Sequence, residues 1–364
     1  LFVVGGKNSA NSRRLTDLAQ KQQTPTFHIE TATEIGNINI DPYDRIGVSA
    51  GASTPNWIID RVMDRIAEGQ NRKLKKVGSF LNLWILAIKT DIYSAVGAGC
   101  LCLACMVLQN IPVNISSITI ASFFTYAMHV LNRLISRKPP VGFIGSFREE
   151  TYLLHEKRYL YSAVVCVLVA LILAYNNGII PFTFLFIIAL AGILYNMKLL
   201  PGGWRFQSLK DLPGSKNIFM AAAWGTVTAI LPALNNNSLH AALIIAFVFT
   251  FGVVFIRSAI SDILEIQSDK LIGRETIPVL FGKETTLALL KIISLILLVL
   301  LTMSNPVGWT TTLSFFLISC ILYIWICFQL CDRKSGFSGA VMEGLLETSY
   351  IIAGLSVLVW FFAH

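Results

Sequence analysis

The sequence predicts a mainly α-helical bundle that crosses a membrane, preceded by a small α/β segment. Of its 364 residues, 54% are hydrophobic and only 14% are charged. The apolar residues form long blocks, whereas the core of a soluble protein would show a dispersed pattern. About 20 apolar residues cross the hydrocarbon core of a bilayer, so we predict nine spanning helices. They are expected at 91–110, 116–135, 159–175, 178–196, 217–235, 239–261, 285–303, 309–329 and 345–362.

The net charge of +8 has a distribution that indicates membrane topology and not nucleic-acid binding. Lysine and arginine are concentrated in the connections after the even-numbered spans, whereas the connections after spans one, three, five and seven contain neither. The positive-inside rule therefore predicts that the even-numbered connections and the N-terminal segment are cytoplasmic. We expect an integral protein of a bacterial-type inner or plasma membrane.

The seven cysteines all lie in or beside the predicted spans. This placement argues against a disulfide framework. Cys100, Cys102 and Cys105 have a spacing that resembles a metal motif, but no histidine or acidic residue accompanies them, so we interpret them as structural. The histidines likewise show no spacing typical of metal ligands.

Residues 1–66 are predicted to be a separate α/β domain, joined by a basic connector at 67–82 to a membrane domain at 83–364. "LFVVGG" and "RIGVSA" read as strands, and each is followed by a small polar turn and a helical pattern. Backbone N–H groups and hydroxyls at such turns can hold phosphate. The alternative is that Ser9, Asn11 and Ser53 are ordinary helix caps and turn residues. The chain starts inside an apolar run, which we interpret as the mark of a fragment.

The stretches "VVGGKNSANSRRL", "FHIETATEI" and "IGVSAGASTPNWII" resemble the last third of hydroxymethylbutenyl diphosphate reductase, the LytB/IspH family. The resemblance implies that Ser9, Asn11 and Ser53 bind the substrate diphosphate, with Ala10 replacing one family serine. It also implies a [4Fe-4S] cluster whose three cysteines lie upstream of this stretch. No cysteine precedes Cys100, so the cluster and the reductase activity are expected only in a longer parent chain.

Three acidic residues end the sixth predicted span: Asp262, Glu265 and Asp269, in "SDILEIQSDKLIGRETIP". Residues at i, i+3 and i+7 share one side of a helix, so the carboxylates converge if the helix continues through them. Oxygen ligands near a membrane surface suit Mg²⁺, which bridges protein carboxylates to substrate phosphate. The alternative is a solvated acidic helix end paired with basic neighbours such as Arg257 and Arg274.

The same stretch resembles the second aspartate motif of the UbiA superfamily of intramembrane prenyltransferases, and the similarity extends over about residues 80–364. The resemblance implies that Asp262, Glu265 and Asp269 bind Mg²⁺, which holds a prenyl diphosphate donor while a lipophilic acceptor captures the prenyl group. Tyr195 and Lys210 match the tyrosine and lysine that assist diphosphate binding in that family.

The first aspartate motif of that superfamily is degenerate in this chain. Its N-x-x-x-D-x-x-x-D pattern corresponds to "NRLISRKPP", in which Asn132 is kept but Ser136 and Pro140 replace both aspartates. A serine hydroxyl is a weak ligand and a proline side chain is none. We therefore expect one of two magnesium sites to be weak or absent, unless a carboxylate such as Asp91 substitutes.

Three hypotheses follow from these observations. The first is an integral-membrane prenyltransferase fused to part of an isoprenoid-precursor reductase. The second is a non-catalytic membrane anchor or prenyl-lipid binder attached to the reductase, which the degenerate first motif favours. The third is a transporter, which fits less well because the acids lie at a helix end and not near the bilayer midplane.

Overall fold

The computed structural model describes most of both predicted parts of the chain. The described residues are 1–43, 45–51, 54–55, 58–59, 61–63, 65–66, 79–135, 152, 155–197, 209, 212–234, 241–332 and 339–363. Several predicted positions, Ser53, Ser136, Pro140 and Lys210, lie outside this set, as does most of the connector.

The N-terminal segment is built on a small parallel sheet. Its strands are β1 (Phe2–Val4), β2 (Phe27–Ile29) and β3 (Val48–Ala50), in the order β2-β1-β3. Because β1 pairs on both sides, its residues are buried, which explains the uninterrupted apolar run. The helix α1 (Ala10–Lys21) and a 3-10 helix (Ala32–Asn37) complete the described elements. The α/β character is confirmed, whereas β2 was not predicted.

From residue 79 onwards, the described secondary structure is helical. The helices are α2 (Ser79–Lys89), α3 (Ile92–Leu108), α4 (Ile115–Ile135), α5 (Glu156–Asn177), α6 (Ile179–Asn196), α7 (Ser215–Gly225), α8 (Leu231–Leu234), α9 (Ala241–Leu264), α10 (Ile266–Ile272), α11 (Ile277–Phe281), α12 (Lys283–Ser304), α13 (Leu313–Asp332) and α14 (Gly339–Ala363). A π-helical turn, Thr226–Ile230, joins α7 to α8.

Every predicted span coincides with a helix, but the count of nine spanning helices is not confirmed. Within the described residues, seven helices are long and apolar enough to cross a membrane, or eight if a bent pair is one span. The bent pair is Leu83–Lys89 with Ile92–Leu108, which meet at 83°. The span expected at 178–196 is a shorter apolar helix, Ile179–Tyr195. The helix α2 was not predicted, because Lys89 and Asp91 interrupt the apolar pattern.

The helix α9 forms the centre of the bundle. In the apolar stretch of α9 that is long enough to cross the membrane, 72% of the residues are buried inside the protein. This is the highest share among the spanning helices described. Its inner residues, including Phe249, Val253 and Ile256, belong to the largest apolar cluster. The acidic motif therefore extends from the most buried helix, which keeps its first carboxylate away from lipid.

Glycines let α3 and α14 approach each other closely. A Cβ atom added to Gly97 would lie 2.8 Å from Cδ2 of Tyr350, and one added to Gly354 would lie 2.7 Å from Cβ of Cys100. Both distances are shorter than packed carbon atoms tolerate. Small residues at such crossings allow close helix packing in membranes.

Candidate active site at the end of helix α9

Asp262 lies in a network of hydrogen bonds at the end of α9. Its side chain is buried, with 1% of its surface exposed. Lys216 Nζ donates to Oδ1 and Asn217 Nδ2 donates to Oδ2, both at 2.8 Å. Asn217 Oδ1 in turn accepts a hydrogen bond from the Ser258 hydroxyl, one turn earlier on α9. Both oxygens of the carboxylate therefore have a donor, and its position is fixed by α7 and α9.

The first turn of α7 supplies the two donors. Gly214, at φ +69°, precedes the helix and lets the chain turn into it. Lys216 keeps 51% of its side chain exposed, while Asn217 is fully buried. Lys216 is one of the basic residues in the connection after the fourth predicted span, for which no individual role was predicted, and Asn217 was missed. A lone amide in a polar connection has no periodic signal that would distinguish it.

The helix is interrupted at Glu265, between α9 and α10, but backbone hydrogen bonds continue across this break. Glu265 N donates to Ser261 O at 3.1 Å, and Asp269 N donates to Glu265 O at 2.9 Å. No group of three histidine, cysteine or acidic side chains within the described residues is arranged to hold a metal ion. The joint metal role of Asp262, Glu265 and Asp269 stays a prediction.

Glu265 and Asp269 lie in surroundings that disfavour negative charge. Burial, reinforced by Glu343, Asp269 and Asp262, raises the pKa of Glu265 to about 7, although Lys216 opposes the shift. Burial and Asp262 also raise the pKa of Asp269, against Lys216 and Arg274. An added cation would relieve this repulsion.

The buried carboxylate of Asp269 has weak hydrogen-bond partners, of which the Thr276 side chain is one. The residue is 2% exposed, and Oδ2 accepts no hydrogen bond of normal geometry among the described residues. Arg274 Nη1 lies 3.9 Å from Oδ1, a loose contact at a half-exposed side chain. The motif is therefore largely buried, unlike the solvated helix end that we considered as an alternative.

Arg257 pairs with acidic residues of α14. It contacts Glu347 closely, and its Nη2 lies 3.9 Å from Oε2 of Glu343 on α14. Ser261 donates to Oε1 of Glu343 at 2.8 Å. Sequence reasoning missed this buried group. Two acids four residues apart in an apolar helix were the signal, because such residues need partners inside the bundle.

Tyr195, predicted from the connection after the fourth span, lies beside the start of α7. Its hydroxyl is 3.3 Å from the Ser215 hydroxyl, and its ring packs against Phe219 at 5.0 Å between centroids. Ser215 immediately precedes Lys216, so the structure brings Tyr195 to the edge of the Asp262 network. Lys210 lies outside the described residues.

Asn132 is in the last turn of α4, next to Arg133, whose partner is Asp91. Arg133 donates to both oxygens of Asp91, at 2.8 and 3.1 Å, and the Tyr152 hydroxyl donates at 2.7 Å. Asp91 is fully buried, and His129 Nδ1 lies 3.5 Å from it. Asp91 therefore serves an internal ion pair in this structure, which does not favour it as a replacement for the lost first-motif acids.

In the N-terminal segment, Ser9 caps α1. Its side chain accepts a hydrogen bond from Ser12 N at 3.5 Å, and Asn11 is exposed in the first turn. The arrangement matches the alternative interpretation of Ser9 as a helix cap and leaves diphosphate binding by Ser9, Asn11 and Ser53 as a prediction. Ser53 lies outside the described residues.

The chain belongs to the UbiA prenyltransferase family, whose match covers residues 153–343, more than half of the sequence. The fold agrees with solved structures of that class. A UbiA homolog from Aeropyrum pernix K1 is 12% identical with a TM-score of 0.56, covering 74% of this chain and 98% of the other. A UbiA homolog from Archaeoglobus fulgidus, described as bound to GPP and Mg²⁺, is 16% identical with a TM-score of 0.53, covering 76% and 99%.

The N-terminal segment matches a different family, described as LytB protein, over residues 1–67. The 4-hydroxy-3-methylbut-2-enyl diphosphate reductase of Geobacter sulfurreducens is 48% identical over 73 residues, which are 20% of this chain and 26% of the relative. That of Aquifex aeolicus is 47% identical over 68 residues, or 19% and 24%. The chain thus spans about a quarter of the length of these curated relatives.

Proposed function

We propose that this protein is an integral-membrane prenyltransferase, which moves a prenyl group from a prenyl diphosphate to a lipophilic or aromatic acceptor. The observation that carries the proposal is the Asp262 network together with the buried carboxylates that follow it, in a chain of the UbiA family. The solved Archaeoglobus fulgidus relative, described with GPP and Mg²⁺, supports this class of donor and cation.

The residues fit Mg²⁺ of the kind that is held by one or two carboxylates and completed by water and substrate phosphate. Asp269 offers a buried oxygen that accepts no hydrogen bond of normal geometry among the described residues, and Glu265 lies close to three other carboxylates. These two residues would hold the ion, with Asp262 as the third member of the motif. Bound Mg²⁺ would supply positive charge that offsets the negative charge of the leaving diphosphate.

The protein's own groups then position the donor. Lys216 and the predicted Lys210 add positive charge for the diphosphate, and the Tyr195 hydroxyl lies at the same edge. In the reaction, the C1–O bond of the donor breaks and its electron pair leaves with the diphosphate. An electron pair of the acceptor forms the new bond to C1, and the acceptor loses a proton.

We place the active-site face and residues 1–66 on the cytoplasmic side, since lysines and arginines are concentrated there. We also retain the division into 1–66, 67–82 and 83–364. The LytB-like segment would serve hydroxymethylbutenyl diphosphate reduction only in a longer parent chain. No cysteine precedes Cys100, so residues 1–66 do not fit a [4Fe-4S] cluster, which is held by cysteine thiolates.

A second candidate function is a membrane anchor or prenyl-lipid binder without turnover. The loss of both first-motif aspartates at Ser136 and Pro140 favours it. This candidate predicts donor binding with no release of diphosphate.

The two candidates are separated by measuring diphosphate release from purified protein in nanodiscs. The donors are prenyl diphosphates of several lengths, and the acceptors are a panel of phenolic, tetrapyrrole and lipid compounds, each with Mg²⁺ present or chelated. We expect release that requires Mg²⁺, rises with one acceptor and is abolished by Asp269→Ala, whereas Asp17→Ala on α1 is a matched control. Tight donor binding without release across the panel would favour the anchor.

A further inference from the structure

Three aromatic side chains meet inside the bundle, where α4, α7 and α14 approach one another. The ring of Trp224 on α7 lies 5.8 Å from that of His129 on α4 and 5.1 Å from that of Tyr350 on α14, measured between centroids. Trp224 and Tyr350 are buried, and 11% of the His129 side chain is exposed. We call these three residues the aromatic cluster.

Two polar atoms of the aromatic cluster have no hydrogen-bond partner among the described residues. They are Nε2 of His129 and the hydroxyl oxygen of Tyr350, and both atoms are buried. A buried polar group without a partner costs about 1–3 kcal/mol, so each such group in a folded protein needs an explanation. Tyr350 packs against Gly97 through its ring and Cβ atoms, so this packing does not explain the hydroxyl. A bound molecule with a polar group would supply the partner.

The other ring nitrogen of His129 faces a carboxylate. Nδ1 lies 3.5 Å from Oδ1 of Asp91, whose position is fixed by hydrogen bonds from Arg133 and Tyr152. Catalytic hydrogen bonds are often this long before the substrate binds. A histidine whose Nδ1–H points at a carboxylate keeps Nε2 as its proton acceptor, and the carboxylate stabilises the imidazolium that forms. His129 is therefore arranged as a base that is oriented by Asp91.

The aromatic cluster lies further into the bundle than the residues that we assign to the donor. Trp224 follows Asn217, which contacts Asp262, by seven residues and shares its face of α7. The helical rise places Trp224 about 10 Å deeper than Asn217. On α4, Asn132 follows His129 by three residues and lies on the same side of the helix. A donor with its diphosphate at these helix ends would extend its C1 atom and prenyl chain towards the aromatic cluster.

We propose that the aromatic cluster holds the acceptor and that Nε2 of His129 removes its proton. The acceptor is then a compound with a hydroxyl group, whose oxygen accepts a hydrogen bond from the Tyr350 hydroxyl. Its O–H proton passes to Nε2, an electron pair of its oxygen forms the bond to C1, and the electron pair of the broken C1–O bond leaves with the diphosphate. The imidazolium, stabilised by Asp91, later releases the proton to solvent. The inference rests on the proposed function, because it concerns the acceptor of the same reaction.

The variant Tyr350→Phe tests the acceptor site in the whole chain in nanodiscs. It removes a hydroxyl without a hydrogen bond among the described residues, so the melting temperature should stay the same or rise. The amount of bacterial membrane lipid extract that gives half-maximal transfer of a labelled geranyl group should rise about fivefold to tenfold, with unchanged affinity for geranyl diphosphate. Tyr323→Phe on α13 is the matched control, because it removes a hydrogen bond of 2.8 Å to the Leu345 carbonyl and should lower only the melting temperature. An unchanged half-maximal amount in Tyr350→Phe would overturn the role of Tyr350.

The variant His129→Gln tests the base, since its amide can contact Asp91 but cannot take a proton. The maximal rate of geranyl transfer should fall about 10²- to 10⁴-fold, with unchanged affinity for geranyl diphosphate. His28→Gln in the N-terminal segment is the matched control and should transfer at the wild-type rate. Wild-type transfer by His129→Gln, or equal losses of donor binding and transfer, would refute the base while leaving the proposed function intact. If the folded wild type transfers the geranyl group to nothing, the proposed function fails together with this inference.

Discussion

The guanidinium group of Arg133 donates two hydrogen bonds to the carboxylate of Asp91, from Nε at 2.8 Å and from Nη2 at 3.1 Å. Asp91 is fully buried and has a positive φ of 57°, and it lies where α2 and α3 meet at 83°. The pair therefore ties the bent entry of the first span to the end of α4. A buried carboxylate without its partner is strongly unfavourable.

The first prediction is that Arg133→Met lowers the free energy of unfolding by about 3–5 kcal/mol, because it leaves Asp91 without its main cation. The free energy of unfolding is measured by titrating the detergent-solubilised protein with a denaturing detergent. Arg274→Met is the matched control, since its contact with Asp269 is 3.9 Å long and half-exposed, and it should cost less than about 1 kcal/mol. Equal costs for the two variants would contradict a structural role for the Asp91 pair.

The second prediction concerns Asn217, which fixes Asp262 from α7. Asn217→Ala should cost about 1.5–3 kcal/mol of unfolding free energy, since a buried hydrogen bond to a charged group is lost. Asn217→Asp should cost more, because it brings two carboxylates into contact. Asn305→Ala removes a hydrogen bond to the Thr310 carbonyl at the opposite end of the bundle and is the control. A smaller effect at Asn217 than at Asn305 would contradict the assigned network.

The third prediction is that Gly97→Ala loosens the contact between α3 and α14. The added methyl group would lie 2.8 Å from the Tyr350 ring, so the helices must separate or the ring must move. Such overpacking costs about 1–3 kcal/mol. Gly36→Ala is the control, because a Cβ there meets nothing within 4 Å. Thermal unfolding of both variants measures the difference, and equal midpoints would rule out tight packing at Gly97.

The sequence was sufficient to predict where the apolar helices lie, because long apolar blocks are a local property, but the count of nine spanning helices is not confirmed. It did not predict α2 or the bend, since Asp91 looks like the polar end of a span until its partner Arg133 is known. The π-helical turn at Thr226–Ile230 has no distinct composition and was also missed.

The candidate site was predicted only in part for a related reason. The acids Asp262, Glu265 and Asp269 are close in sequence, so their pattern was visible. Asn217 contacts Asp262 and Glu343 contacts Ser261, in each case from a helix that is distant in sequence. Only the folded chain shows these contacts. The hydrogen bond from Lys216 to Asp262 likewise depends on the packing of α7 against α9.

The most direct test of the central claim is transfer of a labelled prenyl group. Purified protein in nanodiscs is incubated with Mg²⁺, prenyl diphosphates labelled at C1 and a bacterial membrane lipid extract as the source of acceptor. The account predicts label in a new lipophilic product, with one diphosphate released per prenyl group, and neither in Asp269→Ala. Donor that binds to the wild type and is recovered intact, with no labelled product and no released diphosphate, would contradict it.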